Sequence, residues 1–337
     1  MKQNNYFSLK FENDKLVFIN QTLLPLQEEY VETDNYERIA EAIERLEIRG
    51  APLIGIAAAY ALALSVKNKK ENIQSIFENA ASRLAKTRPT AVNLFHVLDL
   101  MKDEFKKIED NSKVYEILLS KAKQIHSDDE QYCMKIGRNG LSIFKRKSVV
   151  LTHCNTGKLA TGGDGTAFSV IKTGFENGLV SFVYADETRP LLQGLRLTAF
   201  ELEKTGIPFA VQSDSSAAVL MQQNKVDIVI TGADRIALNG DSANKIGTYN
   251  LALLSYHHNI PFYIAAPSTT IDRTIATGKE IEIEFRDKTE LLAIDGNRIA
   301  PGHYETFSPA FDVTPAHLIS GIITEEGVFR FPYNFIK

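Results

Sequence analysis

The feature that most constrains this fold lies in the second half of the chain, where short apolar runs alternate with helix-length segments. SVVLTH, VSFVYAD, PFAVQS, VDIVITGA and PFYIAAP recur between segments at 165–177, 189–204, 215–224 and 243–258. Alternation of this kind builds βαβ units, because a parallel neighbour strand is reached only through a crossover. The runs are continuously apolar rather than alternating, as strands covered on both faces are. No fixed period repeats along the chain, which argues against solenoids and propellers.

The first half reads differently. YFSLKFE and KLVFINQ are strand-like runs separated by Asn13 and Asp14, a hairpin-turn pair. Asp34 with Glu37 resembles a capping box opening an amphipathic helix through Ile39, Ile43 and Leu46. Residues 52–66, PLIGIAAAYALALSV, are apolar all round, and Pro52 suits a first helical turn. That stretch is shorter than the ~20 residues that span a bilayer, so it reads as a buried helix. Helical spacing continues over 73–84, around 94–108 and over 113–143. A chain of 337 residues is expected to form two domains. We place a hairpin-and-helix domain at 1–130 and a parallel-sheet domain at 131–337, an α/β chain overall.

Composition narrows the function. The net charge of −4 argues against nucleic acid as the main partner. The first residues lack the apolar stretch of a secretory signal. Two cysteines, Cys133 and Cys154, make neither a disulfide framework nor a cysteine-rich zinc site, so a reducing cytoplasm is the expected setting.

In an open parallel sheet, ligands bind beyond the carboxyl ends of the strands. There this sequence carries THCNTGKLATGGDGT, DETRPLLQG, SDSSAA, GADRIALNGDSANKIGT and PSTTID. Five such clusters in register point to a site. The first offers backbone N–H groups suited to an anion, or is a tight strand–helix turn. It is neither a dinucleotide fingerprint, since Phe168 fills the third glycine slot, nor a Walker loop. Cys154, past a strand end, is either an activated thiol or a packed one. Its neighbour His153 points to the opposite side, which argues against a Cys–His pair. Asp234 is a candidate acid or base, or else a helix cap or a partner for Arg235. Asn244 and Lys245, in a glycine-rich approach to a helix, suit a phosphate or hydroxyl ligand, or the lysine is merely solvated. Asp186, Arg189 and Gln193 form a further polar group, with salt-bridge scaffolding as the alternative. In the first half, Arg49, Gly50, Ala51 and Pro52, and the stretch RPTAVNL from Arg88, are ligand loops or turns.

Taken together, IRGAPLIGIAAAYALAL, RPTAVNLF, LTHCNTGKLAT, VYADETRPLLQGLRLTAFELEKTGIPF, TGADRIALNGDSANKIGTYNLALLSYHHNIPFYIAAPSTTID and SPAFDVTPAHLISGIITEEGV resemble the methylthioribose-1-phosphate isomerases. These belong to the superfamily of the regulatory subunits of translation initiation factor 2B. The resemblance runs from about residue 8 to about residue 330. It implies an aldose–ketose isomerase of methionine salvage, converting 5-methylthioribose 1-phosphate to 5-methylthioribulose 1-phosphate. It also implies a Rossmann-like C-terminal domain, a homodimer, and no cofactor or metal. By motif, Arg49, Gly50, Ala51 and Arg88 would hold the substrate, chiefly its phosphate, with Gln193, Asn244 and Lys245 completing the site. Cys154 and Asp234 fall on the family's catalytic pair.

The chemistry explains that pair. Phosphate on the C1 hydroxyl hinders ring opening, so an acid must protonate the ring oxygen as the C1–O bond breaks. Asp234 fills that role if a dry pocket raises its pKa, and it later accepts the 2-hydroxyl proton. Hydrogen then moves from C2 to C1, as a proton through a base or directly as hydride. Cys154 is the base in the first case and shapes a poorly solvated site in the second.

Some positions depart from the family pattern. Leu192, Phe200 and His96 stand where tryptophan is frequent, Ser216 and Val219 differ, and Lys158 replaces a small residue. A 5-deoxyribose-1-phosphate isomerase, or less readily a ribose-1,5-bisphosphate isomerase, is therefore an alternative with the same chemistry. A non-catalytic regulatory subunit is the alternative outside enzymes, and it predicts loss of the Cys154 and Asp234 pair.

Overall fold

The computed structural model describes residues 6–89, 91–294 and 296–335. Thr90 of the RPTAVNL stretch lies outside them. The chain forms two compact units. One comprises the chain up to Met134 together with Thr156–Gly165, the other Lys135–Asn155 with the chain from Thr166 onward.

The first unit opens with the hairpin read from the sequence, β1 (Leu9–Glu12) and β2 (Lys15–Ile19). Asn13 and Asp14 both take positive φ, 51° and 57°, the backbone that a two-residue hairpin turn needs. An antiparallel third strand, β3 (Tyr30–Thr33), extends the sheet and was not read from the sequence. Helix α1 (Tyr36–Glu44) is capped by Asn35, whose side chain accepts from the Glu37 amide. The cap is thus one residue later than the expected Asp34.

Helix α2 (Ala51–Ser65) has Pro52 in its first turn and is buried at every residue from Leu53 to Ser65. Around it pack β1, β2, α1, α3 (Ile73–Ala85), α4 (Val92–Phe105) and the first turns of α5 (Val114–Gly140). Burial on all sides explains why its sequence shows no polar stripe.

The second unit is built on a seven-stranded sheet. Its parallel strands are β4 (Ser148–Thr152), β5 (Val180–Asp186), β6 (Phe209–Gln212), β7 (Ile228–Thr231), β10 (Phe262–Ala265) and β14 (Gly321–Thr324). The spatial order is β6-β5-β4-β7-β10-β14, closed by antiparallel β15 (Gly327–Phe329). That is the Rossmann order, in which the chain runs outward from β4 to β6 and then returns to β7 on the other side.

The period of two sorts each strand onto two cores. Val150, Ile228, Ile230 and Ala265 meet Phe168 and Ile171 of α6 (Ala167–Glu176) on one face. Leu151, Val229 and Ile264 meet Ala217 and Met221 of α8 (Ala217–Gln222) and Leu251 and Ala252 of α9 (Thr248–His257) on the other.

A second, three-stranded sheet in this unit was not anticipated. β8 (Arg235–Ile236), β9 (Ser242–Lys245) and β13 (Phe311–Thr314) pair antiparallel. The segment 243–258, read as one helix-length stretch, therefore begins as a strand. Smaller elements complete the unit: α7 (Ala199–Thr205), α10 (Thr289–Leu292) and the ribbon of β11 (Ala293–Ile294) with β12 (Asn297–Arg298). Among the described residues no helix is long and apolar enough to cross a membrane.

Candidate active site

The reversal of strand order lies between β4 and β7, whose registers match Val150 with Ile228 and Leu151 with Val229. Their carboxyl ends are tied by Thr152, whose Oγ1 donates to the Ile230 carbonyl at 2.9 Å. Two residues beyond β4 stands Cys154, and three beyond β7 stands Asp234. Both therefore occupy the crevice position of a doubly wound sheet.

Cys154 is 7% exposed and takes φ of +63°, a left-handed conformation uncommon for a side-chain-bearing residue. Two threonines hold it there. Its N–H donates to Thr188 Oγ1 at 2.9 Å, and its carbonyl accepts from Thr198 Oγ1 at 2.6 Å. Thr188, at φ +66°, is itself fixed by Asp214, which accepts from the amides of Thr188 and Arg189. Strain held by surrounding bonds in this way is characteristic of functional loops.

Gln193 sits in the same loop. It immediately precedes a π-turn, Gly194–Thr198, that leads into α7. Its side chain is buried, and its Oε1 has no hydrogen-bond partner among the described residues. An orphaned buried acceptor is costly unless a ligand supplies a donor.

Asp234 is brought to Asn244 and Lys245 by the small sheet, since its amide donates to the Ala243 carbonyl at 2.8 Å. Arg235, the next residue, reaches Asp272, its Nε lying 3.7 Å from the carboxylate. Asn244 is buried and donates to Thr248 Oγ1 at 2.9 Å. Lys245 is half-buried; its Nζ donates to the Ala310 carbonyl at 2.9 Å and lies 4.5 Å from the Phe311 ring centre. Both residues are on β9 rather than in a loop approaching a helix, so the strand fixes their backbone.

Asp186 and Arg189, from the polar group whose alternative reading is salt-bridge scaffolding, have separate partners. Asp186 accepts from Gln212 at 2.8 Å and lies 2.9 Å from His153 Nδ1. Arg189 instead donates to the carbonyls of Pro190 and Leu291.

In the first unit, Gly50 caps α2 with φ of +93°. A Cβ there would come within 2.4 Å of Ala160 Cα, so only glycine admits the close approach of the 158–160 turn. Arg49 and Ala51 flank it, half-buried. Arg88, also half-buried, lies between α3 and α4. Both loops abut helices packed on α2.

The glycine-rich stretch after Cys154 uses part of its amide array on the protein itself. Gly162 N–H donates to Asp129 of α5 at 2.7 Å, so the anion it binds is an internal carboxylate. Lys158, the departure in this turn, pairs with Asp164 at 3.2 Å. Cys133, one turn after Asp129 on α5, is buried, and burial drives its thiol pKa far above the ordinary value. It is an inert core thiol.

One group of potential metal ligands occurs among the described residues. A nitrogen of His153 and carboxylate oxygens of Asp186 and Asp214 lie within 4.8 Å of one another. The donor chemistry does not suit a cation. His153 Nε2 lies 2.8 Å from the Ile246 carbonyl, which can only accept, so that nitrogen carries a hydrogen. Nδ1 faces the Asp186 carboxylate. The remaining nitrogen is engaged with Asp186, so the ring is committed to two hydrogen bonds rather than to a metal.

The chain as a whole is similar to known proteins. The family model described as "Initiation factor 2 subunit family" matches residues 47–331. A protein from Caldicellulosiruptor saccharolyticus named methylthioribose-1-phosphate isomerase is 50% identical over 330 residues, covering 96% of each chain. The crystal structure of 5-methylthioribose 1-phosphate isomerase from Pyrococcus horikoshii superposes with a TM-score of 0.92 at 39% identity, covering 99% of this chain and 97% of that one. That of translation initiation factor eIF-2B subunit delta from A. fulgidus gives 0.88 at 40%, covering 98% and 97%.

Proposed function

Because the chain belongs to the initiation factor 2 subunit family and groups with its methylthioribose-1-phosphate isomerases, we propose that it isomerises a phosphorylated aldose to a ketose. The substrate we assign is 5-methylthioribose 1-phosphate and the product 5-methylthioribulose 1-phosphate. The observation that carries the reading is the position of Cys154 and Asp234 at the ends of β4 and β7, where the strand order reverses. The regulatory reading predicts loss of this pair, and both residues are present.

In this reading Asp234, as a carboxylic acid, gives its proton to the ring oxygen as the C1–O bond breaks. Its carboxylate then takes the proton of the 2-hydroxyl as the C2 carbonyl forms. Hydrogen passes from C2 to C1 in the step that Cys154 serves. Arg49, Gly50, Ala51 and Arg88 hold the substrate, chiefly the phosphate. Asn244 and Lys245 add hydrogen bonds and charge, and the orphaned Oε1 of Gln193 receives a sugar hydroxyl. Both cysteines are free thiols, which supports work in a reducing cytoplasm. We infer that two copies associate as a homodimer.

The test is turnover of 5-methylthioribose, 5-deoxyribose and ribose-5-phosphate 1-phosphates by the purified protein. The methylthio compound should give the highest kcat/KM. Preference for the 5-deoxy compound would reassign the substrate, and turnover of none would favour the regulatory reading. Lys245→Ala should raise KM about tenfold or more with a smaller change in kcat.

A further inference from the structure

His153 is 1% exposed and directly precedes Cys154, yet the chemistry above gives it no part. Its two nitrogens reach two different segments. Nδ1 is 2.9 Å from Asp186 Oδ2 at the end of β5, and Nε2 is 2.8 Å from the Ile246 carbonyl, the residue after Lys245. Gly247, at φ +104°, packs close to the ring, and a Cβ there would come within 2.9 Å of Cε1. Its amide in turn donates to Asp312 on β13, at 2.7 Å.

Three carboxylates thus surround one buried imidazole: Asp186 in contact, Asp214 beyond β6 and Asp312 on β13. Each belongs to a segment that carries or braces a residue of the proposed site. Asp186 is two residues before Thr188, which holds the Cys154 amide. Asp214 holds Thr188 itself, and β13 pairs with the strand of Asn244 and Lys245.

We propose that His153 is the positioning residue of the proposed isomerase site: a doubly donating imidazolium that joins the Asp186 carboxylate to the Ile246 carbonyl. It thereby sets the Cys154 turn and the Asn244–Lys245 strand in one register. This rests on the isomerase reading for its consequence, but the charge state and bonding of the ring do not. Burial opposes the charge, and the hydrogen bond and field of Asp186, the field of Asp214 and the Ile246 carbonyl outweigh it. The ring is therefore held above its ordinary pKa. The sign follows: the brace is complete below the ordinary histidine value of about 6.5 and fails as pH rises through the raised one.

The experiment combines nitrogen NMR of ¹⁵N-histidine-labelled full-length protein with kinetics. His153, assigned by its disappearance in His153→Gln, should show two protonated ring nitrogens at pH 7. A single protonated nitrogen there overturns the proposal even if the enzyme turns over no sugar phosphate. With activity in hand, His153→Gln should lower kcat about 100-fold and raise KM, through displacement of both segments. It should also abolish the alkaline fall in kcat/KM. Asp186→Asn is the shape-preserving variant should His153→Gln fail to fold. Its amide can donate to a neutral Nδ1, so KM should stay within a few-fold while the alkaline fall disappears. An unchanged alkaline limb in Asp186→Asn, or unchanged kcat and KM in folded His153→Gln, contradicts the proposal.

Discussion

Asp129 shows what burial does to a single group. It is held inside the first unit, where loss of hydration raises its carboxyl to about 6 despite the Gly162 amide it accepts from. The native state therefore binds this proton more tightly than the unfolded chain. The stabilisation is complete below about pH 4 and lost as pH rises through about 6, a span equivalent to about 3 kcal/mol. Asp129→Asn keeps an acceptor for Gly162 and removes the titration. Denaturant melts at pH 4.5 and 7.5 should lose stability with rising pH in the parent and less in the variant. Equal slopes would show that Asp129 does not titrate in this range. Nothing in the sequence marks Asp129, because its role comes from a glycine loop 33 residues away. Cys154 was legible for the opposite reason: a lone thiol after an apolar run is conspicuous. Its φ of +63° and the threonines that impose it were not.

At the scale of elements, continuous apolar runs announced β4, β7 and β10 because burial on both faces leaves little room for polar residues, and the same kind of run marked β5 and the edge strand β6, which are only partly buried. The small sheet escaped notice because RI, SANK and FDVT are short and largely polar, and their pairing is set by tertiary contact. The π-turn before α7 is likewise imposed from outside. A Cβ on Gly194 would come within 1.6 Å of the Asp186 carbonyl, so the helix must open where it passes that strand end. Gly194→Ala should cost about 2 kcal/mol or more by chemical denaturation and weaken substrate binding through the adjacent Gln193. Gly178→Ala, in left-handed backbone with nothing within 4 Å, should cost about 1 kcal/mol and leave KM unchanged. Equal effects of the two would refute the close-packing account.

At the scale of the molecule, the order β6-β5-β4-β7-β10-β14 turns five loop clusters, far apart in sequence, into one edge with a reversal at its centre. Alternation of strands and helices made the parallel sheet readable. The order itself was not, since crossovers of either direction have the same composition. The family motifs singled out Cys154 and Asp234, and the sheet order puts these two residues, 80 positions apart, at the ends of neighbouring strands. The most direct measurement is kcat on 5-methylthioribose 1-phosphate for the parent, Cys154→Ser and Asp234→Asn, each shown to be folded by its melting curve. The account predicts turnover by the parent and a loss of about 10²- to 10⁴-fold in each variant, with KM changed far less. Near-parental kcat in either variant would contradict it.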